Sequence, residues 1–290
     1  MRVIHLMVKR NLVRTFRNKG AVIIVILMSL LPAMMMLIMG DFWMVPIFTS
    51  IVEDTELAWS LLRANILAIT LAMSSFTAPV SILALVCSDF ENKTIDNYLT
   101  APIKRSHISI SYIISGVLFG LVFSVFIIGL GQVLLLLTGD TFLGVSTIIK
   151  MLSISLLVLT SLSTIFFYIM SGVKNVQTAG AMTGLIGGFA PILGGVYIQL
   201  SLFPDAVSTI MNFLPFSHAL SMMKRQTILP IIENHNLSME MQEGVIDFAS
   251  LELKMFGEVV SSTTSVIIIL SSMVLFGSLS IYRLVHLKKK

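Results

Sequence analysis

This sequence is short of charge. Only 12% of its 290 residues are Asp, Glu, Lys or Arg, against 56% hydrophobic and a mean hydropathy of +0.95. A soluble domain carries about 25% charged residues, so this composition places the chain in a membrane. Cysteine is nearly absent too. Cys87 stands alone, which excludes an intrachain disulfide and leaves a small buried thiol at a helix end as its expected role. No stretch alternates apolar and polar residues strictly, so the spans are helices rather than barrel strands. The Gly-x4-Gly-Lys-[Ser/Thr] phosphate loop is missing, and the chain cannot bind ATP by that route. Neither a membrane-buried Ser/His or Asp/Asp pair nor a His-Glu-x-x-His site is found, which argues against an intramembrane hydrolase. No small-x-small cleavage site follows the first apolar run, so that run reads as a retained span and not a signal peptide.

What the sequence does contain is six charge-free runs: 21–39, 64–86, 112–137, 151–170, 178–203 and 261–281. A helix needs about 20 apolar residues to cross roughly 30 Å of hydrocarbon. The expected fold is therefore one all-α integral membrane domain over 1–290 with six transmembrane helices. Fourteen of the nineteen basic residues flank the faces that also hold both termini, while twelve of the fifteen acids fall on the other side. Positive loops stay in the cytoplasm, which puts both termini there. The net charge of +4 then reflects topology, and no nucleic-acid partner is expected. No ionisable residue is expected inside a span; Arg63 and Lys150 can snorkel outward, and Asp41 and Asp140 follow glycines as helix stops. His5, His107, His218, His235 and His286 all read as solvated or interfacial.

Residues 1–20 carry an apolar stripe, Ile4, Val8, Leu12 and Phe16, with Arg10, Arg14 and Arg17 opposite. That is the pattern of an interfacial helix facing anionic lipid, or of a plain positive-inside flank. Residues 204–260 form the extracellular segment. Within it, 210–223 is too short to span and suits a re-entrant or surface-lying helix, and 238–258 has Met241, Val245, Phe248, Leu251 and Met255 at helical spacing. Gly116-x3-Gly120 and Gly180-x3-Gly184 permit close helix approach, and Gly187, Gly188 and Pro191 make the fifth span easy to bend. Such glycine density marks a moving wall of a path or ordinary tight packing. Nineteen methionines supply adaptable apolar surface, suited to lipophilic cargo or to core filling.

Between the second and third spans, residues 87–111 are a short charged segment. It contains Phe90-Glu91-x2-Thr94, then Ala101-Pro102-Ile103-Lys104-Arg105; ahead of the last span, Leu214-Pro215-Phe216 runs through His218 to Lys224-Arg225. Set in six spans behind a basic amphipathic N-terminus, these motifs resemble the ABC-2 type permease family over essentially the whole length. Lys93 departs from the pattern, standing where a glycine is common. The resemblance implies the membrane half of an ATP-driven exporter, with no catalysis of its own. Two permease copies, or this chain and a paralogue, would join two ABC ATPase subunits that hold the ATP and Mg; this chain would carry no cofactor. In that scheme 87–111 is the coupling loop, with Phe90 as an apolar knob, Glu91 and Lys93 setting register, Thr94 capping a helix from Ile95, and Pro102 and Arg105 completing the motif. Thr94 and Glu91 can also be read as a plain cap and a solvated carboxylate. Pro215, Phe216, His218 and Arg225 would belong to an extracellular hairpin over the exit. The implied setting is a bacterial plasma membrane, and the implied cargo a drug, antimicrobial peptide or lipid-like molecule. A non-transporting scaffold or sensor that docks a cytoplasmic partner is the alternative.

Overall fold

The computed structural model describes residues 2–140 and 143–285; His286 and Lys288 to Lys290 lie outside the described residues. Helix α1 (Arg2–Arg17) turns into α2 (Lys19–Met39) at Asn18, whose side chain accepts a hydrogen bond from the Ala21 amide. A short α3 (Met44–Val52) leads to α4 (Thr55–Glu91), capped by Asp54, which accepts from the amides of Glu56 and Leu57. Next come α5 (Thr94–Thr100) and α6 (Arg105–Thr138), the latter ended by Gly139 in the left-handed conformation. Helices α7 (Val145–Met170), α8 (Val176–Leu193), α9 (Asp205–Met211), α10 (Pro215–Asn234) and α11 (Met239–Phe248) follow. A hairpin of β1 (Lys254–Met255) and β2 (Glu258–Val259) precedes α12 (Ser262–Val285).

Six of these helices, α2, α4, α6, α7, α8 and α12, are long and apolar enough to cross a membrane. They are not equivalent. The most apolar stretch of α4 is 94% buried, against 28% for α2 and 17% for α12, so α4 is the central post and the others present faces to lipid. At 37 residues α4 is about 55 Å long, well beyond the roughly 30 Å of hydrocarbon. Around it, Ser29 of α2 meets Thr77 at 3.0 Å, and Phe76 packs its ring against Phe166 of α7 and Phe216 of α10.

The two Gly-x3-Gly pairs behave differently. A Cβ at Gly116 would stand 2.7 Å from Ser163 Oγ, and one at Gly120 would run into Leu159, so this pair seats α7 against α6. Gly180, Gly184 and Gly188 have nothing within 4 Å of a Cβ; their ridge on α8 faces away from the chain.

Three expectations change. The fifth span stops at Leu193 rather than 203, because the chain turns at Gly194 and at Gly195, whose φ is 73°. Residues 210–223 are not one helix: α9 ends at Met211, and Pro215 opens α10 at its first position, where its missing N–H costs nothing. The helix expected over 238–258 ends at Phe248. Phe256 and Gly257 both have positive φ, the requirement of a type I′ turn, and the chain folds into the hairpin instead.

Candidate functional site at the terminal end of the bundle

One end of the bundle gathers α1, α5, the last turns of α4, α7 and α12, and the first turns of α6 and α8. Its centre is Asp89, fully buried in the last turn of α4. Arg10 of α1 grips both carboxylate oxygens, Nη1 to Oδ2 at 2.7 Å and Nη2 to Oδ1 at 2.8 Å, and Arg14 adds Nη1 to Oδ1 at 2.6 Å. The buried Tyr112 hydroxyl of α6 donates to Oδ2 as well. A buried charge is tolerable only when paired and hydrogen-bonded, and here four donors meet one carboxylate. The carboxylate in turn holds the Arg10 guanidinium even further above its ordinary range.

The sequence places Asp89 only within the charged segment 87–111 and leaves Arg10 and Arg14 as lipid-facing or as a positive-inside flank; the structure brings all three together. The buried face of α1 runs through Met7, Val8, Asn11 and Thr15, and the long arginine side chains fold back over α4. Asn11 donates to Ser115 of α6 and Phe16 packs edge-on against Phe119 of the same helix, so α1 is stitched to α6 as well as, through its arginines, to α4. Arg17 is exposed, beside exposed Leu6, Val13 and Lys9.

Immediately beyond Asp89 lie the motif residues. Phe90 is half-buried and packs against the main core. The exposed Glu91 is not free: its Oε2 accepts from the Val176 amide at 3.1 Å, while Asn175 caps the next two amides of α8. A carboxylate at a helix N-terminus is favourable by about 0.3–1 kcal/mol. Glu91 thus ties the end of α4 to the start of α8. Lys93 has φ 57°, which explains why a glycine suits this position. Thr94 is the first residue of α5 and not its cap, since Lys93 fills the cap position without a side-chain bond. Ile95 is buried beneath α5, whereas Asp96, Asn97, Thr100 and Pro102 are exposed. Arg105 opens α6 and donates to the Val285 carbonyl at 2.8 Å, closing the ring of contacts at the end of α12.

At the other end of the molecule the solvated residues expected there are largely inside. His218 is fully buried, with Nε2 2.6 Å from the Asn212 carbonyl and Nδ1 3.0 Å from Ser265 Oγ of α12. Since a carbonyl only accepts, Nε2 carries the proton and Nδ1 accepts from the serine hydroxyl. Phe216 fills the space left by Gly194, Pro215 is buried, and Arg225 is half-exposed. Arg63, expected to snorkel, instead pairs with Asp140 at the α4–α6 junction.

Lys224 in α10, outside the six spans, is buried and donates to the Ala249 carbonyl at 3.0 Å at the C-terminal end of α11. Burial pushes its ammonium down to about 7. With the folded value below that of the unfolded chain, the unfolded state binds the extra proton. Stability should therefore rise as pH climbs from about 7 toward 10.5, the ordinary lysine value. Lys224→Met should flatten that rise in melting temperature over the interval; an unchanged slope would show that another group sets it.

A family model described as the ABC-2 type transporter matches residues 2–226. That is well over half of the 290 residues. The chain belongs to the ABC-2 type transporter family. No curated protein matches it. Membership makes it a multi-pass membrane protein and the transmembrane component of an ABC-2 type transporter, and implies association with an ABC ATPase. In this ABC-2 subunit the match includes the Asp89 hub, the Asn92–Lys93 turn, α5 and the first half of α10. Reasoning from the sequence missed the hub because Asp89 lies outside the charge-free run it terminates. The one available signal was an acid set directly at the end of a charge-free run, ahead of Glu91 and Asp96. The buried Lys224 left no such trace.

Proposed function

We propose that this chain is the permease subunit of an ATP-driven exporter, and that the hub end of the bundle is cytoplasmic and receives the ATPase. The observation that carries the reading is the path from α5 to the spans. The outward face of α5 offers Asp96, Asn97 and Thr100, its inner side rests on Ile95, and the turn before it leads within four residues to the Asp89 hub. A partner pressing on α5 acts on α4 directly, on α1 and α6 through Asp89, and on α8 through Glu91. The excess of Lys and Arg at this end supports its cytoplasmic orientation.

A second copy completes the path in this reading. The open Gly180, Gly184 and Gly188 ridge, flanked by exposed Leu185 and Phe189, supplies a close-approach face on α8, the least embedded helix after α12. Cargo is lipophilic or amphipathic, in keeping with the apolar, methionine-rich span surfaces.

The test is reconstitution of the chain in lipid nanodiscs with a soluble Walker-motif ATPase encoded beside it. Stimulation of ATP hydrolysis by candidate amphipathic cargo, in a particle whose mass corresponds to two permeases, is expected. A monomeric particle with full activity would remove the paired arrangement, and an ATPase that binds without ever responding to cargo would remove the exporter.

A further inference from the structure

Opposite the hub, the N-terminal turns of α4, the end of α6, the start of α7 and the last turns of α10 enclose a cleft of about 780 Å³. Its size lies within the roughly 300–1,000 Å³ of small-molecule sites. The floor is apolar and dry-walled, formed by side chains such as Leu57, Leu67 and Leu135, each under 10% exposed. Leu67 itself abuts Gly131 of α6, which closes the bottom. To one side stands the Trp59 indole. One helical turn further along α4 the wall is polar and fixed: Arg63 donates to Asp140, whose carboxylate also accepts from Ser60 Oγ at 2.6 Å and Thr138 Oγ1 at 2.7 Å.

That network decides the sign of a ligand. Three carboxylates, one guanidinium and the His235 imidazole line the cleft. The guanidinium is consumed by Asp140, whose acid is held below the usual carboxylate range because the bonds from Arg63, Ser60 and Thr138 outweigh the larger opposing effect of burial. Glu56 therefore carries a free charge at the mouth, and beside it Asp54, whose Oδ1 caps the α4 amides, has no side-chain counter-ion in the cleft. An anion meets no free guanidinium or ammonium among the lining side chains. A neutral apolar molecule gains the floor but nothing from the mouth. A molecule with a cationic centre on an aromatic or aliphatic body can lay the body on the leucines and place the charge between the Trp59 face and the carboxylates, where cation–π attraction adds to the ionic one.

We infer that this cleft is a binding site for lipophilic cations, meaning organic ammonium or phosphonium compounds and the basic side chains of amphipathic peptides. It deepens the exporter reading by naming a class of cargo and a station for it within a single chain, though binding itself needs neither the ATPase nor a second copy.

The experiment uses the full chain in nanodiscs without any ATPase. Trp43 and Trp59 are the only tryptophans, so Trp43→Phe leaves Trp59 as the sole reporter. Tetraphenylphosphonium should quench it saturably, and the uncharged triphenylphosphine oxide should bind at least tenfold more weakly. Asp54→Asn with Glu56→Gln removes both charges while Asn still caps α4, so the fold is retained. This pair should weaken tetraphenylphosphonium at least tenfold and leave triphenylphosphine oxide unchanged, with the melting temperature held. Absence of saturable quenching, equal affinity for the two probes, or an unaltered affinity in the charge-removed pair would each overturn the site. Because no nucleotide enters the measurement, its failure leaves the exporter reading standing, and failure of cargo-stimulated hydrolysis leaves the site standing.

Discussion

Asp89→Ala is expected to cost about 3–5 kcal/mol, the range for breaking a buried ion pair from one side, and to detach α1. The substitution strands Arg10 and Arg14 against the bundle and leaves the buried Tyr112 hydroxyl without its acceptor. Two readouts separate these effects. Thermal unfolding in one detergent reports the energetic loss, and limited trypsin digestion at the exposed Arg17 and Lys19 reports whether α1 has come away. Removing the charges together, as Arg10→Met, Arg14→Met and Asp89→Leu, should recover most of the melting temperature, because the cost lies in the unpaired groups rather than in the missing pair. An Asp89→Ala protein that melts normally and resists trypsin would show that apolar contacts alone hold α1 in place.

Replacing Asp96, Asn97 and Thr100 together by alanine should abolish cargo-stimulated ATP hydrolysis and leave stability within about 0.5 kcal/mol, as is usual for exposed positions. These side chains are exposed on α5, and the Thr100 hydroxyl bonds only within that helix, to the Asp96 and Asn97 carbonyls. Phe90 is the contrasting control. It looks in sequence like the knob a partner would grasp, yet it packs half-buried on the core, so Phe90→Ala is expected to lose on the order of 2 kcal/mol of stability as well as coupling. Normal stimulation in the triple alanine variant would place the ATPase contact elsewhere.

The six spans were legible because insertion into lipid imposes a length and an apolarity that each helix must satisfy on its own. Ends and caps that follow from one residue were legible as well, such as the Gly139 stop of α6. What stayed hidden depends on pairs distant in the chain. Asp89 and Arg10 are 79 positions apart and Arg63 and Asp140 are 77 apart, and in each case a charge that reads as solvated is inside because its partner arrives from another helix. Glu91 was legible as important but not as a strut to α8, since its partner is a backbone amide that no side-chain pattern reveals. The region 204–260 was read as surface because its acids are polar; α10 packs against α4, α7 and α12, with His218 meeting α12 and Lys224 the end of α11, which composition cannot show.

Helix α4 runs unbroken from Asp54 at the cleft to Asp89 at the hub, and it works mechanically as a lever. From Pro79 to the cleft end is about 25 residues, roughly 37 Å, so a tip of roughly 5° about that point carries the cleft end sideways by about 3 Å. Pro79 lies between the ends and donates no hydrogen bond to the turn before it, which makes that turn the natural fulcrum. A shift of about 1 Å at Asp89, on the short arm, would then widen or pinch the space beside Trp59, on the long arm, by about twice as much.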